Sequence, residues 1–547
     1  MEVQSLLDLM SKNVAEQLFK GTLDPSNLQL GNVPSEKIFK ELCHLTYTNY
    51  EPSLYRKLLK TFNMTNVDHR QFYLCQNSIA LFKKQKLESL CLGRLEMVKK
   101  YTHSNNPNRA GQRTEDVDHV KMDLTKTYDI VAILKDILNP ESRRKLAHLS
   151  INAEISEETI IFKNNWIKPI SKMLPLLQTL CIRDRTLYPS DFTALCTGFP
   201  NLSKLNINGT NVTNLNGISR LENLEVLFIG NLNLPNSVYM LDLFNLRHLK
   251  VLSLSCEQSC HLPCCPKRLV AQFLECNRVL PELIYLDCSF NDIEDYMFDR
   301  LRERCPKLET ISAIGTNIER VAIEGIQLFT AHDLASTNRS LAHYTDLQNR
   351  SMLFELFGII DNLFTTGDFV PNLEDLRDCA NGLCKVFKNY PSDFPIAHQI
   401  TPVLTSVMRY QNLLGDREKL NILDCFYSIC LFYIQNSYFI DFFPKFEGMF
   451  SVLLRLQDQE NLLLNIDKFY KPAIQVLMLT RNQDNWKLNC LDFIFMLRSD
   501  KWSIEELNGI DMALLKEILR KFNRSRTLDT HYKKMAGELE RHFSRGV

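Results

Sequence analysis

One stretch concentrates residues able to hold a metal: in SCEQSCHLPCCPKRLVAQFLEC, Cys256, Cys260, His261, Cys264, Cys265 and Cys276 offer thiols and an imidazole. Zinc needs four ligands converging tetrahedrally, and Cys260 and Cys264, four apart, with the later Cys276 supply several. The paired CxxC units of a zinc ribbon are missing, so free cysteines in a lengthened loop are the plainer reading. Cys379 with Cys384, and Cys425 with Cys430, are five apart within apolar helical stretches, where core packing accounts for them. No glycine-rich phosphate loop, nucleophile elbow or zinc-protease histidine pair is present. With 18 glycines in 547 residues there is little provision for backbone to approach a cofactor phosphate. These absences argue against an enzyme, and no cofactor is expected.

The elements that would carry other functions follow from composition. A chain of 547 residues is expected to form two to four domains, and 45% hydrophobic with 23% charged residues is ordinary for folded protein. Sixty-four basic residues balance 64 acidic ones, so no global field draws the chain to nucleic acid or an anionic membrane. The basic last segment, RKFNRSRTLDTHYKKMAGELERHFSRGV, lacks the interleaved aromatics of a nucleic-acid patch and reads as a solvated terminal helix. Glu2 and Asp8 precede any basic residue, against a secretory signal. The longest apolar run, ILDCFYSICLFYI at 422–434, is too short to span a bilayer. The 17 cysteines lie mostly within apolar segments, as free thiols do in a reducing compartment. A soluble protein of the cytoplasm or nucleus is expected.

The pattern Leu-x-x-Leu-x-Leu recurs at Leu177/Leu180/Ile182, Leu202/Leu205/Ile207, Leu224/Leu227/Ile229, Leu249/Leu252/Leu254 and Leu283/Leu286/Cys288, with a weaker copy at Leu308/Ile311/Ala313. Successive starts are 25, 22, 25, 34 and 25 residues apart, near the period of leucine-rich repeats. Earlier copies read as Leu146/Leu149/Ile151, Val117/Val120/Met122 and Leu87/Leu90/Leu92. Each copy predicts a short strand with alternating residues turned inward, followed by a return on the opposite side. Asn206, Asn208, Asn211 and Asn291 follow the strands, where turning backbone needs polar partners. Pro200, Pro281 and Pro306 stop the returns before the next strand. The polar stretch 99–117 reads as a loop.

Beyond about residue 320 helical stripes replace this rhythm, from MLFELFGIIDNLF through HQITPVLTSVMRYQNLL to DMALLKEILRKFN. Helices on broad apolar faces, two or three per repeat, fit armadillo or HEAT stacking. The expected fold class is therefore α/β plus all-α: a leucine-rich-repeat solenoid over residues 51–320, then an armadillo/HEAT-like helical solenoid over 321–547, with a helical box at 1–50 ahead of both.

Within that box Val3, Leu7, Met10, Val14 and Leu18 form one apolar helical stripe. Leu6, preceded by Ser5, with Met10 and Val14 resembles the elongin C-binding box, Met10 standing where that box has cysteine. Nineteen residues on, Val33 and Pro34 open a helix showing Ile38 and Leu42 on one side, which resembles the cullin box. A docking box, a second helix, leucine-rich repeats and armadillo-like helices, in that order, resemble the Zyg-eleven and Zer-one family, substrate receptors of elongin-containing cullin two ubiquitin ligases. The resemblance implies a non-catalytic receptor. Leu6, Met10 and Val14 would bind elongin C with its partner elongin B, and Val33, Pro34, Ile38 and Leu42 would touch cullin two. The helical region would capture a degron, typically an N-terminal glycine. A protonated amine calls for carboxylates, and selectivity for glycine calls for a bulky wall, so Trp486 with Asp484 or Asp492, and Trp502 with Glu505 or Glu506, are the candidate pairings. The competing expectation is a leucine-rich scaffold whose first helix merely caps the repeats.

Overall fold

A computed structural model describes residues 6–545 apart from 25–27, 29, 47–57, 59–60, 71–73, 96–101, 104–125, 153–159, 257–267, 317, 319–321, 367–368, 391–392, 436–443, 457–458, 479–484, 497–511 and 526–527. The chain divides into two compact units, Met1–His332 and Asp333–Val547.

The first unit opens with helices α1 (Leu6–Phe19) and α2 (Asn32–Thr46), followed by thirteen strands among the described residues. Ten of these form one parallel sheet in the order β1 (Asn66–Asp68), β2 (Ser89–Cys91), β5 (His148–Ser150), β7 (Thr179–Cys181), β8 (Lys204–Asn206), β9 (Val226–Phe228), β10 (Val251–Ser253), β11 (Tyr285–Asp287), β12 (Thr310–Ser312) and β13 (Gln327–Phe329). Every pairing keeps the same register, so Val67, Leu90, Leu149, Leu180, Leu205, Leu227, Leu252, Leu286, Ile311 and Leu328 stand side by side. All but Leu328 are buried, because the pleat turns one residue of each three inward. Burying each such aliphatic side chain is worth about 1.5–3 kcal/mol. A smaller sheet joins β3 (Thr102–His103) antiparallel to β4 (Lys126–Tyr128), which runs parallel to β6 (Ile160–Phe162).

Eight of the nine Leu-x-x-Leu-x-Leu copies fall on these strands. The copy at Val117/Val120/Met122 lies outside the described residues; β2 pairs directly with β5. Two strands of the ten-stranded sheet lack the leucine pattern: β1 fills its inward slots with Met64, Val67 and His69, and β13 lies beyond the weak copy at 308–313. Residues 102–103, expected within a loop, form β3.

The returns carry α3 (Gln76–Lys83), α4 (Ile130–Ile137), α5 (Pro140–Lys145), α6 (Ile167–Met173), α7 (Pro189–Gly198), α8 (Leu269–Glu275) and α9 (Asp295–Arg304). Carboxylates of one return serve the one before it: buried Asp191 on α7 accepts the Asn165 and Ile167 N–H groups, both at 3.1 Å, at the start of α6. Asp242 likewise accepts Gly217 N–H at 2.6 Å. The turn asparagines bond backbone: Asn208 Oδ1 accepts Gly230 N–H at 2.7 Å, Asn211 Oδ1 accepts Leu187 N–H at 2.7 Å, and Asn291 Nδ2 donates to Leu254 O at 2.9 Å. Three residues past the strands, Asp184, Gly209, Asn231, Phe290 and Gly315 all adopt positive φ, between 55° and 64°.

The second unit is helical. Its first layer stacks α10 (Leu334–Asp346), α12 (Leu373–Asn389), α14 (Asp416–Gln435), α17 (Tyr470–Met478) and α19 (Met512–Arg524). The other stacks α11 (Arg350–Thr365), α13 (Phe394–Val407), α15 (Pro444–Leu456), α18 (Asn485–Met496) and α20 (Thr530–Arg545), with the short α16 (Leu463–Asp467) between α15 and α17. Polar bonds link successive first-layer helices: Lys385 Nζ to Asp346 at 3.0 Å, Asn421 to Asn381 at 3.4 Å, and Lys468 Nζ, just ahead of α17, to Asp424 at 2.6 Å. Cys379, Cys384, Cys425 and Cys430 are buried between these helices, as core packing requires.

Candidate docking surface at the N-terminal hairpin

Helix α1 fastens itself to α2 through small residues. Ser11, Ala15 and Leu18, spaced four and three apart, are its buried line. The apolar stripe expected through Leu7, Met10, Val14 and Leu18 is thus divided: Leu18 is in the core, Leu7 and Val14 are half-buried, and Met10 is 56% exposed. Val3 and the side chain of Leu6 lie outside the described residues, although Leu6 begins the helix. Short Ser11 and Ala15 let the two helices approach closely, which turns the larger side chains at 7, 10 and 14 to the flank and outward. An exposed, flexible methionine beside two half-buried aliphatics can enter an apolar pocket on a partner.

Helix α2 behaves differently. Ser35, Ile38, Phe39, Leu42 and Cys43 are all buried, Ile38 and Leu42 at 2% exposure. Both therefore pack inside this chain, and among the described side chains of α2 the outward ones are Val33, 55% exposed, and Lys40, with Pro34 half-buried in the first turn. Phe39 sets its ring edge-on to Phe62 and Phe82, with centroids 6.5 and 5.7 Å away, and lies 6.1 Å from the buried His69 ring. The Glu36 carboxylate accepts the backbone N–H groups of Thr65 and Asn66, both at 2.8 Å, where β1 begins. Ser35 Oγ accepts Asn63 N–H at 3.2 Å. Neither Ser35 nor Glu36 stands out in sequence, because their partners are 28–30 residues away.

The residues considered for amine capture are not brought together among the described residues. Asp492 on α18 is half-buried and accepts the Tyr532 hydroxyl proton at 3.2 Å; burial pushes its carboxyl up, which the Tyr532 bond partly opposes. Trp486 is on the same helix, with its side chain outside the described residues, as are Asp484, Trp502, Glu505 and Glu506 altogether. Of the cysteine stretch, Cys260, His261, Cys264 and Cys265 are likewise outside. Cys256 is buried, and Cys276 Sγ donates to Ser237 O at 3.2 Å, its thiol pushed up to about 11 by burial. Among the described residues no group of three or more histidines, cysteines or acids is placed to hold a metal, and no helix is long and apolar enough to cross a membrane.

No family model matches the chain. It is similar to gastrulation-defective protein 3 of Caenorhabditis elegans, 28% identical over 380 residues, an alignment covering 69% of this chain and 49% of the worm protein. The matched region thus spans about half the length of that relative.

Proposed function

We propose that the chain is a non-catalytic substrate receptor of an elongin-containing cullin two ubiquitin ligase, of the Zyg-eleven and Zer-one type. The observation that carries this is the posture of α1: it is held by Ser11, Ala15 and Leu18, and it presents Met10 with Leu7 and Val14 beside it. In this reading Leu6, Met10 and Val14 dock on elongin C, bound with elongin B. Cullin two meets the Val33 and Pro34 end of α2, while Ile38 and Leu42 support that surface from within. The ten-stranded unit is read as a leucine-rich-repeat solenoid, with one strand per repeat in constant register. The two-layered helical unit is read as an armadillo or HEAT-type solenoid that captures the degron, with the Asp492 carboxylate available to an N-terminal glycine amine. The receptor contributes proximity, holding a substrate near a ubiquitin-charged enzyme in cytoplasm or nucleus.

The test is recovery of elongin C by the intact chain and by a Leu6→Asp, Met10→Asp double variant. Binding by the intact chain, lost in a variant with unchanged melting temperature, is the expected result. No elongin on the intact chain, or equal recovery by both, overturns the reading. One observation favours a plain repeat scaffold instead, namely that α2 buries most of its apolar face against β1 and α3. In that case the double substitution lowers the melting temperature and no elongin is recovered.

A further inference from the structure

We propose that Glu36 is the joint that orients the N-terminal hairpin against the sheet and so sets the direction in which the outward face of α1 is carried. This rests on the reading of α1 as a docking helix. β1 is an edge strand of the ten-stranded sheet, and the N–H groups at such an edge need partners. Glu36 Oε1 takes both at the start of the strand, from Thr65 and Asn66 at 2.8 Å, together with the Thr65 hydroxyl at 3.0 Å. The Asn66 side-chain amide reaches both carboxylate oxygens at 3.3 Å. One residue earlier, Ser35 Oγ accepts Asn63 N–H at 3.2 Å.

Two kinds of contact therefore join hairpin to sheet, and they do different work. The rings of Phe39, Phe62 and Phe82 supply burial, which is proportional to area and indifferent to small rotations. The Glu36 bonds are charge-assisted and directional, so they select one rotation of α2 over its neighbours. Because α1 packs on α2, whatever α2 adopts is transmitted to Met10. Glu36 would be a positioning residue: it makes no contact with a partner, yet it decides how a docked partner stands relative to the repeats.

The experiment compares the full-length chain with Glu36→Leu, which removes the acceptors, and Glu36→Gln, which keeps one carbonyl oxygen for the two backbone donors. Hydrogen exchange is followed at residues 61–69, elongin C affinity is measured, and the chain's own lysines modified in a reconstituted elongin–cullin two ligase are mapped. In Glu36→Leu, exchange of the Thr65 and Asn66 amides is expected to rise about tenfold, with elongin C affinity within about twofold of the parent. The set of modified lysines should shift, and Glu36→Gln should restore the parental pattern. Unchanged exchange in Glu36→Leu, an unchanged lysine pattern, or a parallel loss of elongin affinity each overturns the proposal. If the parent chain itself binds no elongin C, the docking reading fails, and the joint stands or falls on the exchange data alone.

Discussion

Asp287 occupies a strand position that faces away from the aliphatic core, yet it is buried. Its carboxylate accepts the Ser253 hydroxyl at 3.1 Å and Ser289 N–H at 3.0 Å. Burial pushes its carboxyl up, and these neutral donors only partly offset that. A folded-state pKa raised above the unfolded value means the folded chain holds the proton more tightly. The associated stability is present below the unfolded value of about 3.9 and is lost as pH rises through the folded one. Thermal unfolding of the parent and of Asp287→Asn, compared below the unfolded value at about pH 3.5 and at about pH 8, should show the balance moving toward the variant at the higher pH. A gap between them that is independent of pH would mean that the carboxyl is not protonated in the fold. Arg350 and Asp393 are a buried ion pair at 2.6 Å, with Asp393 also accepting Ile396 N–H at 3.1 Å to cap α13. Arg350→Ala leaves that acid buried without its cation, so denaturant unfolding should register a loss of about 3–5 kcal/mol. Neither site announces itself in sequence, since an acid in an outward strand slot reads as solvated and Arg350 lies 43 residues from Asp393.

At the scale of elements, the sheet depends on a turn repeated at a constant offset from five of its strands. Gly209 and Gly315 sit there with φ of 64°, and a Cβ on either would overlap the residue stacked on it, Asp184 or the Phe290 ring. Gly325 has a similar φ of 73° but open space around its Cα. Gly325→Ala should therefore cost only the backbone strain, about 1 kcal/mol, and Gly209→Ala little more because the exposed Asp184 carboxylate can swing aside, whereas Gly315→Ala overlaps the buried Phe290 ring and should lose about 2–4 kcal/mol in denaturant titrations. Equal losses at the three sites would show that strain alone governs. The strands themselves were largely legible, because a leucine at every third and then second position is what a short inward-facing strand requires. β1 escaped notice because His69 takes a slot where an aliphatic is expected, held against Phe39 and Phe82 instead. The buried line of α1 was misjudged because Ser11 and Ala15 contribute closeness rather than apolar area.

For the whole molecule, the hairpin is part of the first unit and not an appendage to it. Removing residues 1–50 should uncover Phe62, His69 and Phe82 and lower the melting temperature of the sheet unit, measured by circular dichroism. An unchanged melting temperature would make the hairpin dispensable to the fold. The sequence by itself determined that strands give way to helices, the placement of eight strands and the apolar faces of the helical unit, because these are local consequences of residue spacing; the expected boundary near residue 320 falls short of β13 and of the division at His332, since β13 lacks the leucine pattern. Tertiary structure alone decided which face of α1 stays outside, that Ile38 and Leu42 turn inward, that Asp287 is desolvated and that Glu36 meets β1. Each of those outcomes depends on partners that come close only when the chain has folded, and such partners leave no periodic trace around the residue itself.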